Sequence, residues 1–121
     1  MSVPAASVSA ARTASVQSVI DRYRAAFDSL DAKAVEGFWP GVDMRALNRA
    51  FDQLQSQRLQ FDHCDIQLAG SRAFALCHGY AQLVRKAGSQ DPRTEPRQWT
   101  FTLSEVKDHW VILGVDARQV R

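Results

Sequence analysis

The sequence predicts an α+β fold: a cone in which three N-terminal helices pack on a strongly curved four-stranded antiparallel sheet. Three observations carry it. Apolar residues recur at three- and four-residue spacing through residues 15–55 and at alternate positions through residues 57–118. Short turn signals, Gly70-Ser71 and Lys107-Asp108, divide the second half into hairpins. The strands follow the helices instead of alternating with them, which excludes a βαβ layout.

A first helix is expected from about Ser15 to Leu30, where Val16, Val19, Ile20, Tyr23, Phe27 and Leu30 form one apolar face. Ser15 fits the N-cap, since its hydroxyl can accept from a free backbone amide. Residues 1–14 are small and polar. They offer little to bury and read as a flexible arm or a linker from a longer protein, with the domain at 15–121. Asp31 caps a short second helix, Ala32 to Phe38, which Trp39-Pro40-Gly41 ends. Asp43 caps a third helix that buries Leu47, Phe51 and Leu54. Strands are expected at 56–69, 72–84, 97–106 and 109–118, with a loop rich in turn formers at 87–95.

Totals limit the function. A chain of 121 residues is one domain. A formal charge of +2 with scattered arginines gives no nucleic-acid footprint. No apolar run approaches the ~20 residues of a membrane span. Two cysteines and no leader-like N-terminus point to a reducing cytoplasm. No phosphate loop, Cys-x-x-Cys, His-Glu-x-x-His or nucleophile elbow occurs, so no cofactor or metal is expected.

Counting outward from the Gly70-Ser71 turn places Leu68 opposite Ala73, Cys64 opposite Cys77 and His63 opposite His78. The small residues Ala73, Ala75, Cys77, Gly79 and Ala81 then face the core. His63, Phe74, Leu76, His78 and Tyr80 face outward, a mixed aromatic and imidazole surface suited to a partner. In the second hairpin Leu103 faces Ile112, Phe101 faces Gly114 and Trp99 faces Asp116. That puts Asp116 on the core face with Trp99, Phe101 and Trp110.

Candidate chemistry follows from those faces. Cys64 and Cys77 lie within reach of a disulfide, but in a cytosolic protein the pair reads as two buried thiols. His63, His78 and Asp65 lack a further ligand at characteristic spacing, so they read as surface or interface residues. Tyr23, on the buried stripe, could donate to a carbonyl or oxyanion. Asp116 is the candidate general base. Tyr23, Trp39, Cys64, Cys77, Trp99, Phe101, Trp110 and Asp116 are the expected pocket residues.

The stretch from Val19 to Asp31 (Val-Ile-Asp-Arg-Tyr-Arg-Ala-Ala-Phe-Asp-Ser-Leu-Asp) resembles the opening helix of nuclear-transport-factor-2-like domains, the SnoaL-like and ketosteroid-isomerase-like superfamily. Trp99 to Leu103 and Trp110 to Ile112 are similar to its closing strands, so the resemblance spans about residues 15–118. It implies a cone with a bent sheet and a homodimer through the sheet's outer face. Tyr23 matches the oxyanion donor of the ketosteroid isomerases. Their base would fall within 41–47, which reads as helical here, and their second acid falls near Trp99. Phe38-Trp39-Pro40 before a helix looks like accessory domains of larger bacterial regulatory proteins. The expected function is a non-catalytic domain that dimerises or binds a small hydrophobic ligand. The alternative is a cofactor-independent isomerase, cyclase or dehydratase acting on a hydrophobic carbonyl compound.

Overall fold

A computed structural model describes residues 5–120, with side chains from residue 8 onward. Three helices, α1 (Ala5–Asp28), α2 (Ala32–Phe38) and α3 (Met44–Asp52), precede four strands, β1 (Leu54–Ala69), β2 (Arg72–Arg85), β3 (Arg93–Val106) and β4 (His109–Gln119). The strands form one antiparallel sheet in chain order. No helix among the described residues is long and apolar enough to cross a membrane.

Helix α1 starts at Ala5, not at Ser15. Ser15 therefore does not cap it; its hydroxyl donates to the Ala11 carbonyl within the helix. The expected arm is helical over its described part. The reason is a long-range anchor: Arg12 donates to the Gly70 carbonyl, lies 3.6 Å from Glu105 Oε1 and stacks 5.3 Å over the Trp110 ring. The rest of the arm lies outside the described residues.

The C-terminus of α1 closes with Leu30 at positive φ (53°), Asp31 N–H donating to Ala26 and Leu30 N–H to Phe27. Its last turn is tied to β1 from both sides. The Asp28 carboxylate accepts from Leu59 N–H at 2.7 Å, and the Gln57 amide donates to the Phe27 carbonyl at 3.0 Å. Asp31 and Asp43 cap α2 and α3 as expected, each accepting at 3.1 Å from the amide three residues on. Leu54 does not belong to α3 but begins β1.

Both hairpins close on two-residue turns. Gly70 sits at φ 61° in the first, and Lys107 and Asp108 at 48° and 69° in the second, the left-handed pair that type I′ requires. The first register is as expected near its turn: Leu68 with Ala73, Cys64 with Cys77, His63 with His78. Beyond it, Asp62 is an extra residue that breaks the register. The bulge reverses the alternation, so Leu59 and Phe61 share the concave face with Cys64 and Ile66.

A second bulge changes the other hairpin. Leu103 pairs with Ile112 as expected, but Leu113 is extra. Phe101 therefore faces Val115 rather than Gly114, and Trp99 faces Ala117 rather than Asp116. A slip of one residue moves every following side chain to the other face. The core lies between α1, α2 and the concave face, with Ile20, Val35, Trp99, Phe101, Leu103 and Ile112 all at most 1% exposed.

Candidate functional site

The deep interior is packed by aromatic rings. Tyr23 stacks on Phe27 with centroids 4.1 Å apart and meets Phe101 edge-on at 5.0 Å. Phe61 meets Trp99 at 4.8 Å. Trp110 is buried under Arg12, and Trp39 packs half-buried against the core. Burial drives the Tyr23 phenol pKa well above its ordinary value, with the Arg97 charge acting in the opposite direction.

Asp116 is not on this face. The Leu113 bulge turns it outward to pair with Thr100, where it is exposed and accepts from Arg118 Nε at 2.9 Å. The candidate base is thus on the opposite side of the sheet from Tyr23. Cys64 and Cys77 also depart from expectation: the two thiols form a disulfide, with Cα atoms 4.1 Å apart. The non-hydrogen-bonded cross-strand pair holds the two chains close enough for it.

Along β3 the residues sharing the concave face are Glu95, Arg97, Trp99, Phe101 and Leu103. The sequence reading puts Glu95 in the loop at 87–95 and Arg97 at the first position of the strand that follows, whereas the strand begins at Arg93. Glu95 is the one buried charged residue among the described residues. It is neutralised on both sides: Arg93 Nε lies 3.1 Å from Oε1, and Arg97 donates to Oε2 through Nε and Nη2 at 3.3 and 3.0 Å. The alternation running back from Trp99 was the available signal for both residues.

At this end of the cone a cavity of about 290 Å³ opens between α3 and the sheet. Phe27, Leu47, Ala50, Phe51, Leu54 and Leu83 form its apolar wall, and Gln57, Arg85 and Arg97 its polar side. Phe27 and Phe51 stand edge-to-face with centroids 5.1 Å apart. The pocket residues expected from sequence line neither this cavity nor four others on the surface.

On the outer face Phe74 and Tyr80 are each 46% exposed, with Leu76 and His78 between them on β2. His63 Nε2 lies 2.9 Å from Asp65 Oδ1. Among the described residues no group of three metal-binding side chains converges. A groove of about 440 Å³ crosses this face, lined by Asp65, Gln67, Phe74, Leu76 and Thr100 among others.

No family model and no curated protein matches the chain. Solved structures do. A nuclear transport factor 2-like superfamily protein from Salmonella enterica superposes with a TM-score of 0.84 at 13% identity, over 93% of this chain and 94% of that one. The chain has the nuclear-transport-factor-2-like fold. A scytalone dehydratase candidate from Novosphingobium aromaticivorans shares the fold with a TM-score of 0.81 at 9% identity, over 96% of this chain and 89% of its own. The hexachlorocyclohexane dehydrochlorinase LinA-type3 from Novosphingobium barchaimii does so at 0.77 and 8% identity, over 93% and 88%. At such identities a nuclear-transport-factor-2-like likeness concerns the backbone, and chemistry must be argued from this chain's own side chains.

Proposed function

We propose that this is a non-catalytic domain that binds a small hydrophobic ligand at the open end of its cone. The observation that carries the reading is the cavity of about 290 Å³ walled by six apolar side chains, Ala50 among them, with a few polar groups at one side. The rival, an enzyme of the dehydratase or isomerase kind, draws support from the names of two fold neighbours. It needs a donor and a base converging on one cavity. Here Tyr23 points inward while Asp116 lies outside, and the inward Glu95 is held by two arginines. An amide-resolved NMR screen of small aromatic and alicyclic compounds tests the proposal. Shifts should cluster at Leu47, Phe51 and Leu83. A panel that moves none of them at millimolar concentration refutes it.

A second role is supported by the exposed Phe74 and Tyr80. The outer face carries acids and bases together, Asp65 and Asp116 beside Arg58 and Arg118, so a two-fold axis can set opposite charges against each other. We propose a homodimer through this face, as in an accessory domain of a larger bacterial regulatory protein. Light scattering should give twice 13.5 kDa, and Tyr80→Glu should return it to the monomer. A wild-type monomer at high concentration removes this role. Residence in the cytoplasm is part of the proposal, and thiol counting on protein quenched in acid inside cells tests it. A cytoplasmic pool should hold the Cys64–Cys77 disulfide of the structure in its reduced form, and recovery of the bonded pair from such cells removes the cytoplasmic assignment.

A further inference from the structure

We propose that the ligand is a small aromatic carboxylate, recognised through its negative charge by Arg85 and Arg97. The inference rests on the ligand-binding reading above and adds the ligand's class. The cavity's apolar wall includes the edge-to-face pair Phe27 and Phe51, a geometry that extends naturally to a third ring. Its only charged lining groups are two guanidiniums.

Charge bookkeeping at this end favours an anion. Three arginines, Arg85, Arg93 and Arg97, stand against two carboxylates in the two adjoining cavities and the ion-pair cluster: Glu95, which pairs with Arg93 and Arg97, and Asp91, which lines the adjoining cavity and makes no ion pair among the described residues. Both Glu95 oxygens are taken, one by Arg93 and one by Arg97. Arg97 spends Nε and Nη2 on that contact and keeps Nη1. Its side chain is 23% exposed, a partly desolvated setting in which a charge-assisted hydrogen bond counts for more than in open water. Arg85 makes no ion pair among the described residues. It lines this cavity and the adjoining one beside Ala87 and Arg93.

Sequence alternation builds this arrangement. Arg97 lies opposite Gly79, so no side chain on β2 competes for its space. Ala81 lies opposite Glu95. The bare stretch of β2 that lets the helices approach also leaves room for the ion-pair cluster at the rim. A neutral hydrophobic ligand would use the apolar wall but neither the free Nη1 of Arg97 nor the exposed Arg85. A carboxylate uses both.

The test compares 2-naphthoate with 2-naphthamide, which have the same ring and nearly the same volume but differ in charge. Both are titrated by NMR, with the amides of Leu47, Ala50 and Leu83 reporting the cavity. Naphthoate should bind about tenfold more tightly at low salt, corresponding to one charge-assisted contact. Arg85→Gln should remove most of that preference without changing the amide's affinity. Arg97→Gln removes one of the two partners of buried Glu95 and destabilises the domain, so Glu95→Gln serves as the second variant. It frees Arg97 from its internal partner and should tighten naphthoate binding. Equal affinity for the two compounds, unchanged in both variants, overturns the charge-recognition inference and leaves the ligand-binding reading standing. Failure of both compounds to move the cavity amides overturns the two together.

Discussion

Replacing Gly79 with alanine tests the bulge that shapes the concave face. A Cβ built at Gly79 would overlap the Gln60 carbonyl oxygen, and would stand 2.8 Å from the Gln60 carbonyl carbon and 3.1 Å from Phe61 Cα. All three are backbone atoms, so no rotamer change relieves the contact. The strands must part where Gln60 pairs with Tyr80 and Phe61 with Gly79. Two ladder hydrogen bonds at about 1 kcal/mol each are at risk. So are the Phe61 contacts to Trp99 and Phe101, at centroid distances of 4.8 and 6.1 Å, worth about 0.5–1.5 kcal/mol apiece. The expected loss is therefore about 3–5 kcal/mol. Gly37→Ala is the internal control. It lies in α2 with nothing within 4 Å of the added methyl, and should stabilise by roughly 0.5–1 kcal/mol. Urea unfolding of the three proteins measures both. If Gly79→Ala stays within about 1 kcal/mol of wild type, the strands do not approach as described. The inward placement of Leu59 and Phe61 then fails with it.

Reducing the Cys64–Cys77 bond, which spans 13 residues, should cost about 3 kcal/mol on the loop-entropy account. Urea midpoints with and without reductant measure it, and an unchanged midpoint argues against a bonded pair. The buried Tyr23 phenol titrates above its unfolded value, so its contribution is complete below about pH 10 and declines as pH rises further, at up to about 1.4 kcal/mol per pH unit. Melting temperatures should fall more steeply above pH 10 in wild type than in Tyr23→Phe; parallel curves would refute this. Arg12→Ala removes the contacts to Gly70, Glu105 and Trp110 and should cost roughly 1–2 kcal/mol. It should also raise amide exchange in residues 8–14, and unaltered exchange there would mean that Arg12 does not anchor the helix.

The parts legible in the sequence are those set by nearest neighbours. Asp31 and Asp43 cap their helices because a cap needs only the next three residues. The pairing of Cys64 with Cys77 follows from a two-residue turn close by. What sequence reasoning missed depends on distant contacts or on one inserted residue. The first turns of α1 consist of small residues, and Arg12 ties the helix to a turn 58 positions away. An unbroken register, with Leu113 in the ladder, puts Asp116 on the core face; the bulge at Leu113 turns it outward. That bulge leaves a trace: buried Trp110 and Ile112 are two apart, whereas Val115, the next residue packed on the core, follows after three. Leu59 and Phe61 against Ile66 and Leu68 show the same change of phase in β1.

The two bulges together determine what kind of site the cone can hold. The one at Asp62 brings Phe61 against Trp99 and Phe101, which helps fill the deep interior with rings. The one at Leu113 removes the only acid that the unbroken register would have placed beside Trp99. The charge left on the concave face is at the rim, where Arg97 and Glu95 share a parity with Trp99 and Phe101. A phenol with a raised pKa, deep among aromatic rings, is a poor proton source at neutral pH, and Asp116, the candidate base, lies on the other face of the sheet. Guanidiniums at an apolar rim orient and hold an anion without any proton moving. This placement of side chains is what supports the proposed recognition role, and the likeness to a scytalone dehydratase candidate and a dehydrochlorinase concerns the backbone alone.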